Sequence, residues 1–93
     1  MKVTFRVIGS EEDLEELTGT EENVHFCFRP SEKNIFDLLK KCPKLKRIQL
    51  PPSYHKTVSN TTKLLLQMRG IQTAVGDIWG HRTDIEKTAS VEV

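Results

Sequence analysis

The stretch VHFCFRPSEKNIFDLLKKCPKLKRIQLPP, residues 24–52, holds two dense β-forming runs on either side of one helical pattern. Val24 to Phe28 is the first run, and Pro30 and Ser31 end it and cap the helix after it. Ile35, Leu38, Leu39 and Cys42 recur at helical spacing, so one face of that helix is apolar and packs on a sheet. Pro43 stops the helix, Lys46 to Leu50 forms the next strand, and Pro51 with Pro52 closes it. A strand, a one-faced helix and a second strand joined by short breaks call for parallel pairing through a right-handed crossover.

The same alternation extends in both directions. Val3 to Ile8 reads as a strand with Val3, Phe5 and Val7 on one face. Gly9 breaks it, Ser10 and Asp13 resemble a helix cap, and a short helix runs through Leu14 and Leu17 to Gly19. Downstream of Pro52, a helix is expected from about His55 to Arg69, with Val58, Thr61, Leu65 and Met68 along one face and Gly70 at its end. Ile71 to Val75 makes a fourth strand, Gly76 to His81 a loop and Arg82 to Thr88 a short last helix. A final strand at Val91 to Val93 would make five. The expected fold is therefore α/β: a small, mainly parallel sheet of four to five strands in βαβαβαβα order, with helices packed on it. Ile35, Leu38, Leu65 and Val75 are expected in its core. A short leucine-rich-repeat-like solenoid ranks second, because Leu45, Ile48 and Leu50 match the core spacing of such a repeat and Met68, Ile71 and Thr73 echo it loosely, while the other strands do not match.

Ninety-three residues, 37% hydrophobic and 29% charged, fit a single α/β domain spanning 1–93 with one modest core. No apolar run approaches bilayer length, and the first ten residues lack the zones of a signal peptide, so a cytoplasmic protein with no membrane partner is expected. The two cysteines, Cys27 and Cys42, sit inside apolar patterns and read as buried thiols rather than a disulfide.

The net charge of +1 conceals an asymmetry. Residues 1–23 carry a net −5, and residues 24–93 carry +6. Between Arg29 and Arg69, ten Lys or Arg residues face only Glu32 and Asp37. That excess suits a polyanion, a phosphorylated ligand or an acidic protein, and equally suits solvated helix faces.

In an open parallel sheet, ligands bind beyond the carboxyl ends of the strands, where helices present free amides. There the sequence places Arg29 and Ser31, then Ser53, Tyr54, His55 and Lys56, then Asp77, Trp79, His81 and Arg82. Cations beside aromatic faces suit a phosphate plus a stacked ring. In the plainer alternative Ser31 and Ser53 are caps, Trp79 is core and the histidines are loop residues. His25, in mid-strand, reads as a hydrogen-bonded, half-buried side chain rather than a ligand. No nucleophile-elbow, P-loop, dinucleotide or zinc pattern occurs, and the pairs Asp77 with His81 and Ser53 with His55 are of a kind that arises by chance. No catalytic residue, metal or cofactor is expected, and the chain is read as a non-enzyme.

The segments Phe28-Arg29-Pro30-Ser31, Lys41-Cys42-Pro43-Lys44-Leu45-Lys46, Ile48-Gln49-Leu50-Pro51-Pro52-Ser53-Tyr54 and Gly76-Asp77-Ile78-Trp79-Gly80-His81-Arg82 resemble a small-protein family of methanogenic archaea, a domain of unknown function numbered 1699. The resemblance covers nearly the whole chain. It implies an archaeal, cytoplasmic, stand-alone domain and a role in regulating gene expression, and it brings no catalytic residues.

These readings converge on a regulatory nucleic-acid-binding protein acting on DNA or RNA, with Arg29, Lys56 and Arg82 on phosphates and Tyr54 or Trp79 available for stacking. The alternatives are a sensor that binds a nucleotide or other phosphorylated small molecule at the same edge, and a protein-interaction subunit anchored by Trp79 and Tyr54. A homo-oligomer is compatible with each. If the loop edge is not the functional surface, the Lys40, Lys41, Lys44 and Lys46 segment is the next candidate.

Overall fold

The computed structural model describes the backbone of residues 2–76 and 88–92 and the side chains of residues 4–76. Its elements are β1 (Lys2–Ile8), α1 (Glu11–Glu15), β2 (Asn23–Phe26), α2 (Glu32–Lys41), β3 (Arg47–Leu50), α3 (Pro52–His55), α4 (Asn60–Met68), β4 (Gln72–Val75) and β5 (Thr88–Glu92). The sheet order is β4-β3-β2-β1-β5. β1 to β4 pair in parallel, each with its neighbour in sequence, and β5 is antiparallel to β1. The expected α/β fold with a four-strand parallel sheet is what forms. The solenoid alternative shares the sequential neighbour order, but the antiparallel β5 ends the progression at β1.

The crossovers between parallel neighbours all step in the same direction, and the helices α1, α2 and α4 pack on one face of the sheet. Ile8, Val24, Phe26, Ile48 and Leu50 point to that face and form one cluster with Leu14 of α1, Ile35, Leu38 and Leu39 of α2, and Leu66 of α4. Burying each of these aliphatic side chains contributes about 1.5 to 3 kcal/mol, which makes this layer the main source of stability.

Ser31 sets the start of α2. Its Oγ accepts from the Asn34 N–H at 3.1 Å while Asn34 Oδ1 accepts from the Ser31 N–H at 2.9 Å, a closed capping box. The end of α4 is fixed by Gly70 at φ +73, which lets Gly70 N–H reach Gln67 O at 3.0 Å and Ile71 N–H reach Leu66 O at 2.9 Å. Only glycine takes that backbone without strain, and the turn brings Ile71 into the core beside Leu66.

Several expectations shift. The third helix is broken: Thr57 Oγ1 donates to Tyr54 O at 3.0 Å, ending α3, and Ser59 Oγ accepts from Thr62 N–H at 3.2 Å, starting α4 afresh. The new start rotates the buried face to Thr62 and Leu66, leaving Leu65 partly buried, Thr61 exposed and Met68 76% exposed. Val75 is 53% exposed instead of core, because β4 is the outer strand. β2 ends at Phe26, two residues early, and Thr88 begins β5 instead of ending a helix. Ser10 makes no side-chain cap bond, and Asp13 Oδ2 instead accepts from the Gly9 N–H at 2.8 Å. The expected residues 77–81 of the loop and 82–87 of the last helix lie outside the described residues.

On the opposite face, Val7, His25, Gln49 and Ala74 stand side by side across four strands. His25 is fully buried, beyond the half-burial expected, and its Nδ1 lies 2.8 Å from Gln49 Oε1, so Nδ1 is the donor. Gly76 makes this pair fit: a Cβ there would stand 2.4 Å from Gln49 Nε2 and 3.0 Å from Cδ. Gly76→Ala should therefore cost about 1 to 3 kcal/mol by crowding a bonded amide. In urea denaturation the cost should shrink when Gln49→Ala is also present. An equal cost in both backgrounds would mean that the glycine serves something else.

Glu21 fastens the α1–β2 connection. Its carboxylate accepts from the Thr18 N–H at 3.0 Å, the Thr18 hydroxyl at 3.0 Å, the Gly19 N–H at 2.9 Å and the Cys42 thiol at 3.6 Å. Partial burial pushes its pKa up, but the hydrogen bonds from Thr18, its own amide and Gly19 outweigh that and hold it at about 2 against an ordinary 4.5. Burial, and then the Glu21 carboxylate, raise the Cys42 thiol to about 11. Neither cysteine is in a disulfide; Cys42 is buried as expected, whereas Cys27 is half-buried. A depressed folded-state pKa contributes stability that is complete above the unfolded value and lost as pH falls through the folded one. Unfolding free energy should thus decline between pH 4.5 and about 2 more steeply for the parent than for Glu21→Gln. Identical slopes would remove Glu21 from the account.

Candidate functional site

Three connections of the described chain meet at the carboxyl end of the sheet: Gly9 and Ser10 after β1, Cys27 to Ser31 after β2, and Pro51 to Lys56 after β3. Arg29 and Tyr54 come together there. The Arg29 guanidinium carbon lies 5.4 Å from the centroid of the Tyr54 ring, a cation–π contact, and the ring is half-buried against the core. One face of Tyr54 is therefore already engaged by a side chain of the same protein.

Ser31 is committed to the capping box of α2. Ser53 is exposed inside α3, whose N-cap is Pro51, so it is not the cap that the plainer alternative supposed. His55 turns to a separate open cavity of about 450 Å³ beside β4, shared with Lys63, Gln67, Ile71 and Thr73. Lys56 is exposed. Trp79, His81 and Arg82, with Asp77, lie outside the described residues. Of the expected site residues the structure thus brings Arg29 and Tyr54 into contact, commits Ser31 to the helix cap, and places His55 in the lining of a different cavity.

Two features bear on anion binding at this end. The parallel strands run in one direction, β1 to β4, so they contain no topological switch point at which the loops diverge into a crevice. The starts of α2 and α4 also already hold a carboxylate: Glu32, in the first turn of α2, accepts from Ser59 Oγ at the N-cap of α4 at 2.8 Å. Ser31 and Ser59 serve the amides of the two helices. A phosphate approaching the free ends of these dipoles would meet that negative group.

The opposite end of the sheet carries more cationic charge. α2 runs back against the strands, so Lys40 and Lys41 at its end, Lys44 after it, Lys46 and Arg47 at the start of β3, and Arg69 before β4 share the amino rim. Lys41 Nζ donates to Leu14 O at 2.9 Å, Lys46 Nζ lies 3.4 Å from Glu22 Oε2, and Arg47 Nη2 donates to Gln72 Oε1 at 3.3 Å. Lys40, Lys44 and Arg69 are exposed, with no ion pair among the described residues. The acids Glu15, Glu16, Glu21 and Glu22 stand on the α1 and β2 part of the same rim, so charge changes sign along it. The Lys40 to Arg47 cluster was visible in sequence as a basic run. Arg69 joins it only through the parallel crossover.

Among the described residues no group of three or more His, Cys, Asp or Glu side chains is placed to hold a metal ion, and no helix is long and apolar enough to cross a membrane.

This geometry defines an α/β protein with a parallel four-strand sheet, its described helices on one face, and a cationic rim. Residues 4–87 match the N-terminal domain of DUF1699, a family of unknown function, and the chain belongs to that family. No curated protein and no solved structure matches it.

The cap and the site readings of the two serines separate by stability. Ser31→Ala should cost about 0.5 to 2 kcal/mol through the lost cap. Ser53→Ala should stay within about 0.5 kcal/mol, as at other exposed positions. Thermal or urea denaturation reads both, and equal effects would contradict the assignment.

Proposed function

We infer that the chain is a regulatory nucleic-acid-binding protein whose contact surface is the amino rim of the sheet. The observation that carries this reading is the rim itself: Lys40, Lys41, Lys44 and Lys46, all exposed, with the half-buried Arg47, from one run of the chain, and the exposed Arg69 from a second stretch distant in sequence. Lysine and arginine side chains spaced along one edge neutralise successive phosphates, and release of the displaced counterions supplies the affinity. The acidic part of the rim repels the same backbone and fixes which part of the edge engages it. Binding of this kind, without chemistry on the target, regulates by occupying or masking a site. The carboxyl end supports the reading less well, since Glu32 stands across its helix starts and Arg29 lies on Tyr54.

A protein-interaction role is the second reading, favoured by Phe36, Leu64 and Met68, which are 45%, 57% and 76% exposed on α2 and α4.

Fluorescence anisotropy with labelled duplex DNA, single-stranded DNA and RNA at several salt concentrations tests the proposal. Log affinity should fall with log salt by about 0.9 per phosphate contacted on duplex DNA, or about 0.7 on single strands. Lys40→Ala, Lys44→Ala and Arg69→Ala should each flatten that slope, by about one contact per substitution, and weaken binding to unrelated sequences alike. Arg29→Ala and Lys56→Ala should leave the slope unchanged. No binding at low salt, or a slope untouched by the rim variants, would transfer the function to the protein-interaction reading.

A further inference from the structure

The outer edge of the sheet, strand β4, is a backbone edge apart from the cationic rim. β4 reads Gln72-Thr73-Ala74-Val75, and among the described residues no strand pairs with its far side. Gln72 N–H donates to Lys46 O and Gly76 N–H to Leu50 O, both at 2.9 Å. In a parallel ladder alternate residues point to alternate sides, so Gln72, Ala74 and Gly76 face β3 while Thr73 and Val75 aim their N–H and C=O groups outward. The devices that normally guard such an edge, a charged side chain, a proline or a bulge, are missing from residues 71–76. Val75 is 53% exposed, and the open cavity of about 450 Å³ is lined by Thr73, two residues before it, and by Lys63 and Gln67 of α4.

We propose that β4 pairs antiparallel with β4 of a second copy of this chain, with Ala74 on the two-fold axis, joining the two sheets into one. This register uses every outward group. Thr73 lies opposite the partner copy's Val75, and the two residues exchange reciprocal N–H to O=C bonds on each side of the axis. It also fits the surface. Thr73 and Val75 share the helix-bearing face, so each exposed Val75 enters the cavity lined by the other copy's Thr73, against the aliphatic stem of Lys63. This self-complementarity, an exposed apolar side chain facing the cavity of the residue it pairs with, selects a copy of the same strand as the occupant. The paired residues carry no charge, so no like charges oppose one another across the axis, and the amino rims, where Lys40, Lys44 and Arg69 concentrate, are carried to opposite ends of the joined sheet.

Sedimentation equilibrium of the full chain, from low to high micromolar concentration, tests the pairing. The parent should approach the mass of two chains, and Val75→Lys, which places a guard on an exposed position, should stay at the mass of one with unchanged circular dichroism. Ala74→Cys supplies an independent readout. In a non-hydrogen-bonded antiparallel pair the two Cα atoms stand about 4.5 Å apart, within disulfide range. Ala74→Cys should therefore form a covalent dimer under mild oxidation at least about tenfold faster than Gln72→Cys, whose two copies lie several residues from each other in this register. The parent, with Cys42 buried and Cys27 half-buried, gives the background. A parent that stays at one chain mass, a Val75→Lys protein that still dimerises, or equal cross-linking of the two cysteine variants would each overturn the proposal. If Val75→Lys fails to fold, the cross-linking comparison decides alone.

Discussion

Parallel crossovers taken one neighbour at a time organise this protein. Each passage from one parallel strand to the next carries its helix to the same side, so β1 to β4 build a sheet with the described helices on one face and no reversal of direction. The apolar cluster forms on that side, from alternate residues of β1, β2 and β3 and the inner faces of α1, α2 and α4. The other face is held differently, with Phe5 and Val7 buried beside the His25 and Gln49 pair. A bonded imidazole and amide stand among apolar side chains there, and their fit depends on a neighbouring glycine.

The same constraint distributes charge. Helices running back against the strands put all their starts at one end of the sheet and all their ends at the other. The sequence supplies Ser31, Glu32 and Ser59 to the starts, and Lys40 and Lys41 to the end of α2, which matches each group to the sign of the helix dipole. The amino rim becomes the cationic end for a reason that begins in helix stability, and a surface suited to a polyanion arises from it without further cost. At the carboxyl end the serines and Glu32 meet the amides that would otherwise receive a ligand.

The open edge is the remaining consequence. A sheet that grows in one direction ends on its last strand, and β4 has nothing beyond it among the described residues. The residues that look like core by alternation, Val75 above all, are exposed because burial needs a neighbour on the outer side.

Much of the architecture was legible in the sequence because it rests on local rules. Proline and glycine breaks located the strands, alternation and helical spacing told the element types apart, and short connections implied parallel pairing. Ser31 reads as a cap from its position alone, and Cys42 as a buried thiol from its helical phase. What the sequence left open depends on partners distant along the chain. The break after α3 turns on which hydroxyl wins a backbone group, and moving the start of α4 to Ser59 rotated Met68 into solvent and Leu66 into the core. His25 reads as a half-buried strand residue until the register sets Gln49 beside it. The meeting of Arg29 with Tyr54, and of Arg69 with the Lys40 to Arg47 run, comes from the order of strands, which hydrophobic pattern cannot specify because every parallel order buries the same faces.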